Sequence, residues 1–321
     1  MNPKLIKFLK IILPLALGVF LIWYSISSAS PEERQKTLQY ISQADPKWVI
    51  LSILMGIISH LSRAYRWKFL LEPLGYKIKL SNSFMAVMAG YLVNMGIPRS
   101  GEVLRGATVS TYEKIPFKKA FGTIISERVI DTIMLLVIIA ITLFFQSQDL
   151  FSYLQEKITN TFVILILLIT AIVFGVLFLR ILRKSKNPIL VKVKNFGEGI
   201  LEGIKSISKL KQKRAFVFHT VLIWVLYVAM FYVIKFTVPE TAHLSIGPLL
   251  ATFVAGSIAM STTNGGIGAF PIATAAILVL FNIEKPAGEA FGWILWGSQT
   301  AINIIVGALS FLFLPILNRE K

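Results

Sequence analysis

Two short runs carry the residues with chemical potential. The first, P-R-S-G-E-V-L-R at Pro98 to Arg105, holds Arg99, Glu102 and Arg105; the second, E-R-V-I-D, holds Glu127, Arg128 and Asp131. Apolar sequence surrounds both. A charge at the centre of a lone membrane helix costs roughly 2.5 to 3.5 kcal/mol on insertion scales, so three within five residues demand pairing or water. Glu127 and Asp131, four apart, share a helical face, and like charges there repel unless a cation intervenes. Arg63, Arg99 or Arg105 can be that cation, because a guanidinium forms planar bidentate pairs with carboxylate and with phosphate alike. Two readings stay open: a buried ion-pair network that locks the backbone, and a site that holds a phosphate.

A further basic group lies in S-H-L-S-R-A-Y-R-W-K-F-L at Ser59 to Leu70. His60, Arg63 and Trp67 fall on one face at spacings of three and four, with Arg66 beside them. Either these arginines snorkel to the membrane surface beside an interfacial tryptophan, or Arg63, a turn or more inside, faces an anion. Catalysis is poorly supplied. His60, His219 and His243 sit on three separate segments without H-x-x-x-H spacing, and Ser261 has no histidine base nearby in sequence. The chain has no cysteine, which excludes thiolate nucleophiles, disulfides and cysteine-based metal sites. The expectation is therefore no catalytic residue, no metal and no cofactor.

The elements that must position these charges are membrane helices. Of 321 residues, 55% are hydrophobic and only 15% charged, with a mean hydropathy of +0.71, far too apolar for one soluble domain. The net charge of +17 comes from Lys and Arg clustered between apolar runs, which fits the positive-inside rule and anionic lipid better than nucleic acid. Apolar runs at Leu5–Ile26, Trp48–Leu71, Lys119–Phe145, Asn160–Leu182, Ala215–Phe236 and Ala290–Leu317 are long enough to span. No A-x-A-like cleavage site follows the first, so it is expected to remain as an anchor. Between Arg180 and Arg214, eleven basic residues face two acids, Glu198 and Glu202. That segment reads either as a basic amphipathic surface helix or as a solvated cytoplasmic loop.

Two runs are too short or too broken to span. Asn82–Ile97 ends at Gly96 and Pro98, where proline must stop the helix. Ile246–Met260 runs into S-T-T-N-G-G-I-G-A-F-P at Ser261 to Pro271, before a short apolar run at Ile272–Phe281. Broken backbone at membrane depth survives only where protein or trapped water satisfies it. If Asn82–Ile97 crossed alone, the basic stretches around the next two helices would face outside; if it dips in and returns through Val103 to Val109, they and both termini are cytoplasmic. The expected architecture is all-α and polytopic, with about six full spans and two re-entrant hairpins, the first entered from the cytoplasm and the second from outside. Two full crossings in place of the second hairpin give the same parity.

The halves echo one another. A-G-Y-L-V-N-M-G at Ala89 to Gly96 precedes A-G-S-I-A-M-S-T at Ala255 to Thr262 by 166 residues, and A-F-G-T-I at Ala120 to Ile124 returns as A-F-G-W-I at Ala290 to Ile294. With the topology above, the repeats are inverted, the arrangement by which many transporters alternate access to a midplane site. The repeat is chemically lopsided. Glu127, Arg128 and Asp131 have Gly297, Ser298 and Ala301 as counterparts, with Gln299 and Asn303 nearby. Where the first hairpin has Arg99 and Glu102, the second has Asn264, Gly265, Gly266 and Gly268. Charge on the cytoplasmic side and amides on the outer side suit capture of an anion from the inner leaflet, although the glycines also serve a tight turn.

At Arg63 to Trp67 (R-A-Y-R-W), Pro98 to Arg105 and Glu127 to Asp131, the chain resembles the flippase-like family defined by the transmembrane part of lysylphosphatidylglycerol synthases. The resemblance implies an integral membrane protein that moves lipids between leaflets: aminoacylated phosphatidylglycerol in the synthases, polyprenyl-linked or other lipids in relatives. With no soluble aminoacyl-transfer domain within the 321 residues, the expectation is that the resemblance does not extend to lipid aminoacylation. Asn264 and Pro271 stand where relatives often carry a proline and an acid, which puts an outer acidic gate in question.

These readings converge on one integral-membrane domain over 1–321: an anchor helix and outer loop (1–47), a first repeat (48–145), a linker helix with a basic cytoplasmic segment (146–214) and a second repeat (215–321). The expected function is transport of an anionic, phosphate-bearing phospholipid or polyprenyl-linked lipid across the inner membrane. A membrane-embedded enzyme acting on a lipid carrier and a small-anion transporter are the alternatives. Arg63, Arg66, Arg99 and Arg105 are expected to attract the phosphate, and Glu127, Arg128 and Asp131 to gate it or balance its charge, with Glu102 also in the substrate site. Asn264, Gly265, Gly266, Gly268, Gln299 and Asn303 are expected to line the outer half. The expected partners are anionic membrane lipids and a separate lipid-modifying enzyme, with no nucleic acid.

Overall fold

Helix-starting signals in the sequence become real caps. In the computed structural model, which describes residues 3–97, 99–157, 191 and 210–319, Ser30 Oγ accepts the Glu33 amide at 3.1 Å while the Glu33 carboxylate accepts the Ser30 amide at 2.7 Å. This capping box, followed by Pro31, starts a helix because it satisfies amides that the first turn leaves without partners. Asp45 caps the next helix through the Lys47 amide at 2.9 Å, again with a proline at the first helical position.

Among the described residues every regular element is helical. The helices are α1 (Pro3–Ser28), α2 (Pro31–Ser42), α3 (Pro46–Leu71), α4 (Leu80–Gly96), α5 (Ser100–Tyr112), α6 (Phe117–Lys157), α7 (Lys213–Ile234), α8 (Ile246–Thr262), α9 (Ala269–Leu280) and α10 (Lys285–Leu317). The expected span at Asn160–Leu182 and most of the basic segment after it lie outside the described residues. α6 runs on to Lys157 rather than stopping at Phe145, because the apolar pattern ends there but no proline or glycine breaks the chain. α9 begins before Pro271, which sits in its first turn, where a missing amide proton costs no helical bond.

Among the described residues, four helical stretches are long and apolar enough to cross a membrane: Pro46–Leu74, Phe117–Gln146, Lys213–Thr237 and Lys285–Leu317. α4 and α8, at 17 residues each, and α5 and α9, at 13 and 12, reach only about 18 to 26 Å at 1.5 Å per residue, short of a hydrocarbon core of about 30 Å. The succession of long helix, two short helices and long helix occurs twice. Its starts are separated by 167 residues (Pro46 to Lys213), 166 (Leu80 to Ile246), 169 (Ser100 to Ala269) and 168 (Phe117 to Lys285).

The chain divides into two compact units, Met1–Glu127 with Leu210–Lys321, and Arg128–Lys209. In the first unit α3 packs along α7, and each short pair packs as a hairpin. The α4–α5 hairpin closes on glycine: a β-carbon at Gly101 would stand 2.1 Å from the Gly90 carbonyl oxygen, so no other residue fits. Polar contacts gather the helix ends of this unit into two groups. In one, the Asn82 amide donates to Glu113 at 2.6 Å and to Asn318 at 2.8 Å, and Gln212 donates to Glu72 at 3.1 Å. In the other, Lys36 pairs with Glu284 at 3.5 Å and the Tyr40 hydroxyl donates to Glu240. Because Asn82 and Glu113 stand at the start of α4 and just past the end of α5, the first hairpin returns to the end from which it leaves.

Candidate functional site

α3 carries a polar stripe from Ser52 through Ser59, His60 and Arg63 to Arg66, fourteen residues and about 21 Å along the axis. All five are buried. A charged helix face forced inward needs partners, and three other helices bring them. α6 contributes Glu127, which is fully buried; α5 contributes Arg105; α7 contributes Thr220 and Tyr227, seven apart and so on one face.

The centre is one carboxylate engaged by three guanidinium groups. Arg63 Nη1 donates to Glu127 Oε1 at 2.6 Å, Arg66 Nη2 lies 3.2 Å from the same oxygen, and Arg105 Nη2 donates to Oε2 at 3.0 Å. Arg63 also donates to the Tyr227 hydroxyl at 3.3 Å and Arg66 to Thr220 Oγ1 at 3.1 Å. The Arg105 guanidinium carbon sits 4.4 Å from the centre of the Trp67 ring, and Trp67 is itself fixed by donating to Thr123 Oγ1 at 2.8 Å. Removing one partner of a buried pair leaves the other charge uncompensated, at a cost of roughly 3 to 5 kcal/mol. Glu127 is thus the keystone of the cluster. The snorkelling alternative for Arg63 and Arg66 fails, since they are 3% and 0% exposed.

The other candidates divide. Arg99 stands exposed at the tip of the first hairpin in the left-handed conformation, with φ 61°, and no ion pair to it occurs among the described residues. It is not the cation that meets Glu127; Arg66 takes that place, because Arg99 lies before the first turn of α5 on the exposed tip, while Arg66 lies on the buried face of α3. Glu102 is half-buried and accepts from Asn94 Nδ2 at 3.4 Å, while Asn94 Oδ1 accepts the Gly101 amide at 2.7 Å. Arg128 and Asp131 belong to the second unit, where they pair at 3.8 Å.

In the second hairpin Asn264 is 2% exposed. Gly265, Gly266 and Gly268 have φ of 60°, 79° and 68°, a left-handed run that glycine alone adopts cheaply, and the Gly265 carbonyl accepts from Trp296 Nε1 at 2.7 Å. A β-carbon at Gly265 would lie 3.8 Å from Met95 Cγ, so the tips of the two hairpins meet. Gln299 donates to the Ser52 carbonyl at 3.0 Å and to its hydroxyl at 3.2 Å, and Asn303 lies beside His60. Both amides therefore join the α3 stripe from the second half. Among the described residues no group of three or more His, Asp or Glu is placed to hold a metal ion.

Sequence reasoning missed Thr220, Tyr227 and Asn94. The first two had a signal, a polar pair at heptad spacing on an otherwise apolar helix. Asn94 had none, since its role depends on how closely α5 returns along α4. Also missed was Glu289, a buried carboxylate on α10 that accepts from Ser25 Oγ at 3.3 Å.

Residues 11–307 match the family described as the lysylphosphatidylglycerol synthase TM region. A UPF0104 membrane protein of Methanocaldococcus jannaschii is 25% identical over 312 residues, covering 89% of this chain and 89% of that protein. One from Pyrococcus horikoshii is 23% identical over 309 residues, covering 87% and 88%. The glycosyltransferase AglD of Haloferax volcanii is 25% identical over 131 residues, 40% of this chain and 20% of that protein. No solved structure matches the chain. With membrane-crossing helices and a family match over nearly its whole length, the chain is an integral membrane protein that belongs to the lysylphosphatidylglycerol synthase transmembrane-region family.

Proposed function

We propose that this protein moves an anionic, phosphate-bearing lipid between leaflets, and that it does so without chemical modification of that lipid. The carrying observation is the convergence of Arg63, Arg66 and Arg105 on Glu127 inside an apolar unit. Three planar forks beside one carboxylate have the donor geometry that a phosphate monoester or diester matches. Phosphate entering the cluster competes with Glu127 for the same donors, so the ion-pair network and the binding site are one device, closed by the carboxylate and opened by the substrate. The acyl or prenyl chains stay in the surrounding lipid while the headgroup follows the α3 stripe.

Three further observations support this reading. The recurrence of helix starts at offsets of 166 to 169 residues fits an internal repeat. The grouping of helix ends fits inverted halves, with six full spans, two re-entrant hairpins and both termini cytoplasmic in an inner membrane. The meeting of the hairpin tips fits a midplane site between the halves. A separate enzyme supplies or consumes the lipid. The partial likeness to a glycosyltransferase favours a polyprenyl-linked, sugar-bearing lipid among the substrates, and it also motivates the second reading, an embedded enzyme acting on such a carrier.

Reconstitution tests the first reading. Arg105→Gln keeps the hydrogen-bonding end of the side chain but removes its charge and fork. Leaflet exchange of a fluorescent phosphatidylglycerol or polyprenyl phosphate should fall at least about tenfold, the equivalent of roughly 1.4 kcal/mol, in protein that elutes as a folded monodisperse species. Unchanged exchange overturns the assignment. For the second reading, mass spectrometry would find a modified lipid that disappears in Glu127→Gln.

A further inference from the structure

Glu289 differs from Glu127 in how it is held. It is 6% exposed on the second turn of α10, yet its neighbours are one hydroxyl, Ser25 of α1 at 3.3 Å, and one long ion pair, Lys285 at 3.9 Å. No arginine fork grips it among the described residues. A cavity of about 570 Å³ is walled by Glu32, Glu33, Lys36, Glu284 and Lys285, so Lys285 belongs both to the cavity wall and to the ion pair of the buried carboxylate. The charged groups facing this corner are Lys285 on α10, Glu32, Glu33 and Lys36 on α2, and Glu284 before α10; Glu240, in the turn Pro239–Thr241, is engaged by the Tyr40 hydroxyl of α2. Residues 16–28 of α1 and all of α9 bring no charge.

Both helices that hold Glu289 also clamp the second hairpin. Seven residues before Ser25, Gly18 abuts its tip: a β-carbon at Gly268 would lie 2.7 Å from the Gly18 carbonyl oxygen. Three residues after Glu289, Gly292 abuts its second helix: a β-carbon there would lie 2.6 Å from Pro271 Cα and 2.3 Å from Thr274 Oγ1. Contacts this close transmit small shifts, because packed interfaces switch rather than stretch.

We propose that Glu289 is a proton-binding site, reached by way of Lys285 from the cavity that α2 and Lys285 wall, and that its protonation repositions the second hairpin. One proton passes from water in the cavity to the carboxylate. The ion pair with the still-protonated Lys285 is lost, and the new O–H becomes a donor where there was only an acceptor. α1 and α10, which meet through this carboxyl, then shift on the α8–α9 hairpin. The proposal rests on the transport reading only for its purpose, as a coupling ion for lipid movement; the site itself does not require it.

Two measurements on the purified, full-length protein test the site without any lipid assay. Infrared difference spectra between mildly alkaline and mildly acidic buffer should contain the carbonyl stretch of a protonated carboxyl that shifts in heavy water. That band should vanish in Glu289→Gln, which keeps the bond from Ser25, and move in frequency in Glu289→Asp. A nitroxide on Met260→Cys, the only cysteine in the chain, should change mobility over the same pH interval, and the change should be lost in Glu289→Gln. Persistence of the band in Glu289→Gln, or a label insensitive to pH in the unsubstituted background, overturns the proposal. A titrating band in a protein that moves no lipid retains the proton site and rejects the transport reading.

Discussion

Glu127 concentrates the energetics of the site in one side chain. Its two oxygens face three guanidinium groups within 2.6 to 3.2 Å, so Glu127→Gln leaves mutually repelling buried cations. The expected loss is roughly 3 to 5 kcal/mol, read as a fall in melting temperature in detergent, and partial recovery should follow when Arg63 is also changed to Gln. Arg66→Lys is the sharper functional probe. It keeps the charge but cannot reach the Glu127 carboxylate and the Thr220 hydroxyl as a planar fork does, so transport should fall while expression and monodispersity hold.

Glycine contacts decide whether the helical hairpins can form. The α4–α5 pair closes because Gly101 has no side chain to collide with the Gly90 carbonyl, whereas a β-carbon at Gly122 on α6 would meet nothing within 4 Å. Gly101→Ala should therefore prevent the hairpin from closing and abolish folded yield. Gly122→Ala should be tolerated or stabilise by about 0.5 to 1 kcal/mol, the ordinary gain of alanine over glycine inside a helix. Fluorescence-detected size exclusion distinguishes them. At the other end of this unit, the bond to Glu240 pushes the Tyr40 phenol up from its ordinary 10.0 to about 12. A raised folded pKa means that this contact's contribution is complete below pH 10 and is lost as pH rises through about 12. The tyrosinate absorbance difference between the wild-type protein and Tyr40→Phe should titrate in that upper range.

Topology is testable across the whole molecule because the chain contains no cysteine. In the proposed arrangement, single cysteines at Lys36, Glu240 and Glu284 should react with an impermeant maleimide from outside intact cells. Cysteines at Lys77, Lys114 and Asn318 should react only after the membrane is opened. Labelling of Lys114→Cys from outside would turn the first hairpin into a crossing and remove the inversion of the halves. The structure already groups Lys36 with Glu284, and Asn82 with Glu113 and Asn318, so mixed labelling within either group would contradict the fold itself.

The sequence by itself determined that this chain lives in a membrane, that its short helices are broken at the two Gly-rich turns, and where charge is set into apolar runs, because those properties are local. Hydropathy sets solvent, proline and glycine stop helices, and a charge in an apolar run declares itself. The tertiary structure alone decided that Arg66 rather than Arg99 joins Arg63 and Arg105 at Glu127, that Thr220 and Tyr227 of the other half complete the cluster, and that Glu289 lies buried and paired with Lys285, a residue of a cavity wall. Those outcomes depend on which faces of distant helices meet, and contact between side chains as far apart as Arg63 and Tyr227 leaves no imprint on the order of residues along the chain.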